Sequence, residues 1–301
     1  MNEWSSETGM LQRYVLGTAG LGGVWGPVDP GTSVHTIIQA LEAGIPAIDT
    51  APAYGDGEAF VGQALQQWKG PRPQISTKVG RLKSYTSDQG IYDYTPGGMA
   101  RSVDLSLKTL GLSDLDVLFL HEPAAIPAAE IEPAVLKMEE LKRNGYAKQI
   151  GLGGNYPASF HRYLDAGIFD VVMEFNRLNA CTIDALNSSL PECSQGNRAY
   201  WAASPLHMGL LGNRFESFTR NRPQWLEQKY VDAASCVHKI AMKNQRSLPS
   251  LALRFLQNIP FDFRIVIGPS NPGELGECLT AMREGPLENS IYKEITAYIK
   301  E

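Results

Sequence analysis

Short apolar runs rich in β-formers alternate with longer amphipathic segments along the whole chain. The apolar runs lie at residues 15–18, 47–50, 75–79, 117–121, 149–152, 171–175, 200–203 and 264–268. Regular alternation of strand and helix indicates a parallel sheet covered by helices, rather than separate helical and β regions. The pattern therefore predicts eight successive βα units.

The segments between these runs carry helical signals. Val34, Ile37 and Leu41 repeat at the spacing of one helical face, and Gly44 is placed to end that helix. The same spacing recurs at Val61, Ala64, Leu65 and Trp68, and at Val103, Leu107 and Leu110. Each apolar run is therefore followed by a helix that can cover it.

Two architectures accommodate such a chain. The first is a doubly wound sheet, for which Gly151-Leu152-Gly153-Gly154-Asn155-Tyr156 with Glu174 downstream resembles a dinucleotide fingerprint. Tyr156, however, stands where that fingerprint needs a small residue. The second is a single eight-stranded (β/α)8 barrel (TIM barrel) over residues 1–301, whose closed sheet has no edge and whose active site lies at the C-terminal strand ends. The sequence favours the barrel.

Composition excludes several classes of protein. The formal net charge of −5, with no basic stripe, argues against a nucleic-acid partner. No stretch reaches the ~18 apolar residues of a membrane helix, and residues 1–14 lack the apolar core of an export signal. Four scattered cysteines and five histidines fit no disulfide frame and no zinc spacing. We expect a soluble cytoplasmic protein with no metal, no nucleic-acid partner and no membrane partner.

Polar residues cluster where the predicted strands end. Asp49 ends the second strand and Tyr54 follows it, while Lys78 lies near the end of the third and His121 ends the fourth. Alone, each has a structural explanation, such as a turn cap, a surface ion pair, a loop aromatic or a buried histidine. Together they indicate a site, because C-terminal strand ends converge on one mouth and a buried lysine needs a counter-charge such as Asp49.

These four groups predict a specific chemistry. A free phenol has a pKa near ~10, and a neighbouring ammonium lowers it. We therefore expect Lys78 to make Tyr54 an effective general acid or base. His121 can donate a hydrogen bond to the same substrate oxygen. The combination is suited to redox chemistry between an alcohol and a carbonyl.

The same segments resemble the aldo-keto reductase family. Residues 48–55, 76–80 and 116–121 are similar to its strand-two motif, its strand-three lysine and its strand-four histidine, and residues 204–211 and 267–272 to its cofactor loops. The resemblance implies a nicotinamide cofactor, a small sugar or carbonyl substrate, and catalysis by Asp49, Tyr54, Lys78 and His121. The cofactor contacts it implies are Thr18, Ala19, Asp49, Asn155, Asn176, Ser204, Leu206, Gly209, Gly268, Ser270 and Glu274.

Residues 92–94, 101–102, 105–111 and 121–123 resemble the branch that contains the L-galactose, L-fucose and D-threo-aldose 1-dehydrogenases. That branch oxidises the anomeric hydroxyl of an aldose to a lactone, with Tyr54 here in the role of general acid/base. Two alternatives stay open: a reductase of small aldehydes or ketones (or a pyridoxal-type dehydrogenase) on the same site, and a cofactor-binding sensor without turnover.

The sequence departs from the family pattern at three cofactor positions. Gly153-Gly154 replaces the usual Ser-Asn pair, which leaves Asn155 as the substitute. Ala203 stands where an aromatic usually stacks on the nicotinamide, so that Trp25 or Trp201 would take that role. After strand six we prefer Asn176 to Glu174, because an amide can meet both the donor and the acceptor of a carboxamide.

The loop after strand eight bears on the choice of cofactor. It carries Pro269, Asn271 and Glu274, where family members that use NADP carry Lys or Arg. A 2′-phosphate would be repelled by Glu274, whereas a 2′-hydroxyl could donate to it. We therefore expect NAD to be preferred over NADP. The sequence gives no indication of oligomeric state.

Overall fold

The computed structural model describes residues 11–86 and 89–299, and in it eight parallel strands form a closed barrel. Each strand hydrogen-bonds to the next in sequence, and the last returns to the first. The strands are β1 Tyr14–Gly17, β2 Ala47–Asp49, β3 Gln74–Val79, β4 Leu115–His121, β5 Ala147–Gly153, β6 Val171–Phe175, β7 Ala199–Ala203 and β8 Arg264–Ile267. The barrel prediction is confirmed, with strand ends shifted by one or two residues, and the doubly wound alternative is wrong.

Helices surround the barrel in the described residues. They are α1 Pro30–Glu42, α2 Gly57–Gln67, α3 Pro96–Leu110, α4 Ile131–Arg143, α5 His161–Asp165, α6 Ser189–Gln195, α7 Phe215–Arg220, α8 Gln228–Lys243, α9 Leu248–Gln257, α10 Pro272–Arg283 and α11 Asn289–Ile299. Local signals explain their ends: Asp29 accepts from the Thr32 amide at the start of α1, and Gly111 ends α3 in a left-handed conformation.

The strand side chains alternate between two apolar layers. One layer packs between strands and helices, and the smaller one fills the barrel interior with Val15, Ala47, Val117, Phe119, Val171, Met173, Trp201 and Val266. Because side chains on a strand alternate with a period of two, Asp49 shares the inward face of Ala47, and His121 that of Phe119. The interior therefore changes from apolar to polar at its C-terminal mouth.

Two further findings concern the described residues alone. None of their helices has both the length and the apolarity needed to cross a bilayer. No group of three or more His, Cys, Asp or Glu side chains among them could hold a metal ion. The expectation of an unexported protein rests on residues 1–14, of which residues 1–10 lie outside the described part of the chain.

Candidate active site

A buried ion pair forms the floor of the barrel mouth. The Lys78 ammonium lies 2.6 Å from both carboxylate oxygens of Asp49 and 3.0 Å from the carbonyl oxygen of Thr50. The Ser76 hydroxyl donates to Asp49 over 2.8 Å. Both charged side chains are about as buried as core leucines, at 1% and 2% exposure. Asp49 is therefore the counter-charge that was predicted for a buried Lys78.

Lys78 is therefore a fixed positive charge. Burial alone would lower its pKa, but the charges of Asp49 and Tyr54 and hydrogen bonds to both raise it above the ordinary lysine value. At neutral pH the side chain stays protonated and cannot itself accept the substrate proton. Its influence on neighbouring groups is therefore electrostatic.

Tyr54 lies over this ammonium, with its ring centroid 4.7 Å from Lys78 Nζ. Burial raises the pKa of the phenol above its ordinary value, and the Lys78 charge opposes that rise without overcoming it. The prediction that Lys78 would lower this pKa is therefore correct for its contribution and wrong for the net direction. The physical reason is desolvation of the phenolate at the mouth. Tyr54 is thus a neutral phenol that carries a proton to give.

His121 completes the group from β4. Its ring lies perpendicular to that of Tyr54, with centroids 5.8 Å apart. Burial, together with the charges of Lys78 and Arg81, holds the imidazole pKa well below its ordinary value. The ring is neutral at physiological pH and carries one N–H, so it can donate one hydrogen bond to an oxygen placed beside Tyr54.

Glycines bring the Tyr54 loop into place. A Cβ on Gly22 would lie 1.9 Å from the carbonyl oxygen of Tyr54, and one on Gly55 would lie 2.1 Å from the carbonyl oxygen of Gly22. The two loops therefore touch through backbone alone. Glu58 then anchors the following helix, since its carboxylate accepts from the Thr77 hydroxyl, one residue before Lys78, over 2.6 Å.

A cavity of about 250 Å³ opens beside Tyr54, between the ends of β1, β7 and β8. Eight of the expected cofactor positions line it: Ala19, Asp49, Ser204, Leu206, Gly209, Gly268, Ser270 and Glu274. Several are small or expose backbone, as close approach of a ligand requires. The β7 loop takes unusual conformations here, with left-handed backbone at Ser204, His207 and Met208.

Three of the expected cofactor residues lie elsewhere than on the cavity wall. Thr18 is buried, and its hydroxyl donates to the carbonyl oxygen of Asp49 over 3.1 Å. The Asn155 side-chain oxygen accepts from the Phe175 amide over 3.2 Å, so it secures the end of β6. Asn176 has left-handed backbone, and its buried side-chain oxygen has no partner among the described residues. Of the three side chains, that of Asn176 is the one with a buried oxygen left to accept a hydrogen bond from a ligand.

Two pairs of residues were candidates for contact with the nicotinamide: Glu174 or Asn176, and Trp25 or Trp201. The members of each pair lie in different places. Glu174 points out of the barrel, where it accepts from Ser189 and Tyr200. Trp201 is buried inside the barrel against Phe119. Trp25 lines the cavity and is 38% exposed. Asn176 and Trp25 are therefore the members of each pair that remain available to a ligand.

The Gly153-Gly154 departure has a steric cause. A Cβ on Gly153 would lie 2.8 Å from the Phe119 Cβ. Gly154 has a φ of +143°, and a Cβ there would lie 3.3 Å from the Glu122 Cα and the Pro123 Cδ. The Phe119 side chain of β4 therefore restricts the space at Gly153, and the segment just after β4 restricts it at Gly154.

The cavity also contains residues that strand-end reasoning missed. Arg214 lines it, and its guanidinium lies 5.9 Å from the Trp25 ring centroid. Asn213 donates to one Glu274 oxygen over 3.0 Å, while the other accepts from the Ser270 amide over 2.8 Å. Both missed residues lie in a loop whose path no local pattern specifies. Glu274 is thus held in place by the two loops that flank the cavity.

Comparison with known proteins gives a consistent result. The profile of the aldo/keto reductase family matches residues 13–300. The NADH-specific methylglyoxal reductase of Escherichia coli is 27% identical, with 90% of each chain covered. The D-threo-aldose 1-dehydrogenase of a Pseudomonas species is 26% identical over 86% of this chain and 85% of its own. The solved structure of a Gluconobacter oxydans glycerol dehydrogenase has a TM-score of 0.75 at 24% identity, covering 95% of this chain and 90% of that one.

Proposed function

Because the chain belongs to the aldo/keto reductase family, and so is an oxidoreductase, we propose that it oxidises the anomeric hydroxyl of an aldose to a lactone with NAD. The observation that carries the proposal is the contact of Tyr54 with the buried Lys78–Asp49 pair beside a neutral His121. The similarity to a D-threo-aldose 1-dehydrogenase supports a sugar as the substrate.

The residues that line the cavity support a dinucleotide as the cofactor. Its walls include small residues after β1, β7 and β8, and Arg214 supplies a positive charge for an anionic group. The unpartnered oxygen of Asn176 suits the amide donors of a carboxamide. We propose that Ala19, Ser204, Leu206, Gly209, Gly268, Ser270 and Glu274 hold the cofactor. A nicotinamide ring, when bound, supplies the acceptor or donor of hydride.

The roles of the catalytic group follow from its protonation states. His121 donates to the substrate oxygen and orients it toward Tyr54. For oxidation, Tyr54 takes the hydroxyl proton, so that its phenolate form must be reached first, and the Lys78 charge lowers the cost of reaching it. Asp49 keeps Lys78 charged and in place. Thr18 and Asn155 would act indirectly, through the backbone of Asp49 and of Phe175.

A second candidate is reduction of small aldehydes or ketones on the same site. It is favoured by the raised pKa of Tyr54, because a neutral phenol can give its proton directly to a carbonyl oxygen. The similarity to a methylglyoxal reductase points the same way. The two candidates share every catalytic residue and differ in the direction of transfer.

A substrate panel tests the proposal. L-Fucose, L-galactose, D-arabinose and pyridoxal are each assayed with NAD and with NADP, by the absorbance of the reduced cofactor. We expect a sugar with NAD to give the highest kcat/KM, because Glu274 would repel a 2′-phosphate. A higher kcat/KM with NADP would contradict the role of Glu274. Turnover of pyridoxal alone would replace the sugar assignment.

A further inference from the structure

A second polar cluster lies at the barrel mouth beside the catalytic group. Its centre is the carboxylate of Glu122, the residue after His121. Arg81 Nη1 lies 2.6 Å from one carboxylate oxygen, and the Tyr92 hydroxyl donates to the other. We call Arg81, Glu122 and Tyr92 the Glu122 cluster. No step of the chemistry described for Tyr54, Lys78 and His121 uses its carboxylate.

The backbone at Glu122 is held in an uncommon conformation. Its φ of 50° and ψ of 63° are left-handed, which residues with a Cβ rarely adopt. The Tyr94 hydroxyl lies 2.8 Å from the carbonyl oxygen of His121 and 3.1 Å from that of Glu122. Gly154 leaves room for the Glu122 Cα on the other side. Backbone that is strained and braced in this way is a reason to look for a function.

The cluster has hydrogen-bonding capacity to spare. A carboxylate offers about four acceptor positions, and Arg81 and Tyr92 use one oxygen each. The Glu122 side chain is 29% exposed, whereas that of Arg81 is 9% exposed. The remaining acceptor positions are therefore partly open to solvent beside the end of β4, and the groups that would bind there are hydrogen-bond donors.

The charges at the mouth favour neutral hydrogen-bond donors over anionic ligands. Arg81 is matched by Glu122, and Lys78 is matched by Asp49. An anionic substrate would therefore find both of these cations already neutralised. A neutral ligand with several hydroxyl groups gains charge-assisted hydrogen bonds to Glu122 without introducing a charge.

We propose that the Glu122 cluster is a subsite for the hydroxyl groups of a polyhydroxylated substrate whose reacting carbon lies at Tyr54 and His121. The inference rests on the proposed function and adds how the site distinguishes a polyol from a simple carbonyl compound. Glu122 determines specificity by accepting from substrate hydroxyls, and Arg81 and Tyr92 orient its carboxylate.

The test compares D-glyceraldehyde with propanal, two three-carbon aldehydes that differ by two hydroxyl groups. Reduction of each is measured with NADH for the wild type and Glu122→Gln. We expect kcat/KM for glyceraldehyde to fall about ten- to hundredfold, the effect of losing hydrogen bonds to a charged group. For propanal we expect a change below about threefold, because no interaction with its transition state is removed.

Two further variants protect the interpretation. Tyr92→Phe keeps the ring and the Arg81–Glu122 pair but removes the hydroxyl that orients the carboxylate, so a smaller loss confined to glyceraldehyde is expected. If Glu122→Gln fails to fold, this variant decides the question. Glu294→Gln on α11, which removes an exposed ion pair with Lys243 of α8, is the control and should leave kcat/KM for both substrates unchanged.

The outcomes separate the inference from the proposed function. Equal losses on both aldehydes, or no loss on either, would show that the cluster only holds the loop, and would overturn the inference while leaving the function intact. A wild type that turns over neither aldehydes nor sugars would contradict the proposed function, and the inference with it. Selective loss on glyceraldehyde supports both.

Discussion

Two lysine–aspartate pairs with nearly identical geometry lie at opposite ends of the barrel. At the mouth, Lys78 lies 2.6 Å from both oxygens of Asp49, and at the other end Lys142 lies 2.7 and 2.6 Å from those of Asp170. Their surroundings differ sharply. The side chains of the first pair are 1% and 2% exposed, and those of the second are 36% and 26% exposed.

The difference also lies in what else each aspartate does. Asp170 accepts from the Ile150 amide over 2.9 Å, and Asp116 does the same for Ile75 over 2.8 Å. Both satisfy strand amides at the N-terminal end of the barrel. Asp49 instead fixes a lysine that acts on Tyr54. Pairs of equal length therefore occur in two settings, one that satisfies strand amides and one to which we assign the chemistry, and this barrel architecture places reactive groups at the second end.

Replacing each lysine by methionine should give the largest difference between the two pairs, in both stability and kcat. Lys78→Met leaves a buried aspartate without its counter-charge, which costs about 3–5 kcal/mol of unfolding free energy. It also removes the charge that stabilises the Tyr54 phenolate, so kcat should fall about 10²- to 10⁴-fold. Lys142→Met, the matched control, should cost about 1 kcal/mol or less and leave kcat unchanged.

Urea unfolding and steady-state kinetics of the two variants check this expectation. Similar losses of stability in both would mean that burial does not distinguish the pairs. A Lys78→Met enzyme with nearly full kcat would remove the support for an electrostatic role of this lysine.

The Gly22→Ala variant tests the position of Tyr54 at the mouth without replacing any of the four proposed catalytic side chains. The added Cβ would lie 1.9 Å from the carbonyl oxygen of Tyr54, so the Tyr54 loop must move. A displacement of about 1 Å in a catalytic group can cost about 10²-fold in kcat. Gly276→Ala on α10 is the control, because a Cβ there meets nothing within 4 Å. Equal kcat in the two variants would show that Tyr54 does not depend on this backbone contact.

As the pH falls, the contribution of the mouth to the free energy of unfolding should be lost before that of the opposite end. Burial lowers the pKa of His207, in the β7 loop, to about 4. Below pH ~6.5 the unfolded chain takes up this proton before the folded one, so stability present above that pH is lost as the pH falls toward ~4. Between pH 7 and pH 5 we expect the free energy of unfolding to fall by about 2 kcal/mol from this residue.

The carboxylate of Asp116, at the other end, acts at lower pH. Although burial opposes the shift, hydrogen bonds from Lys148 and the Ile75 amide lower the pKa of Asp116 below its ordinary 3.8. Its contribution is therefore present above that value and is lost only below it. Urea unfolding at each pH, with His207→Gln as the comparison, measures the difference. A slope between pH 7 and pH 5 that His207→Gln leaves unchanged would contradict the assignment.

The convergence of Asp49, Tyr54, Lys78 and His121 at one mouth was predictable, because strand periodicity and strand ends are local properties of sequence. Asp49 and His121 follow the inward-facing apolar residues Ala47 and Phe119 near the ends of their strands, and the need of a buried lysine for a counter-charge joins Lys78 to Asp49. The net pKa of Tyr54 was not predictable, since it depends on how deeply the loop buries the phenol.

The cofactor side was less predictable because loops build it. Thr18 and Asn155 carry the expected residue types, but their side chains bind backbone atoms of neighbouring strands. Arg214 reaches the cavity from a loop with left-handed turns, and Glu122 reaches the mouth through one left-handed residue. Neither loop conformation can be predicted from the periodicity of apolar residues along the chain.

Replacement of Tyr54 by phenylalanine tests the central claim most directly. The variant keeps the ring over Lys78 and removes the oxygen proposed to carry the proton. Single-turnover rates and NADH binding by fluorescence are measured on the same preparation. We expect the rate to fall about 10²- to 10⁴-fold with nearly unchanged affinity for NADH. Retention of most of the rate would place the proton transfer elsewhere and contradict the account.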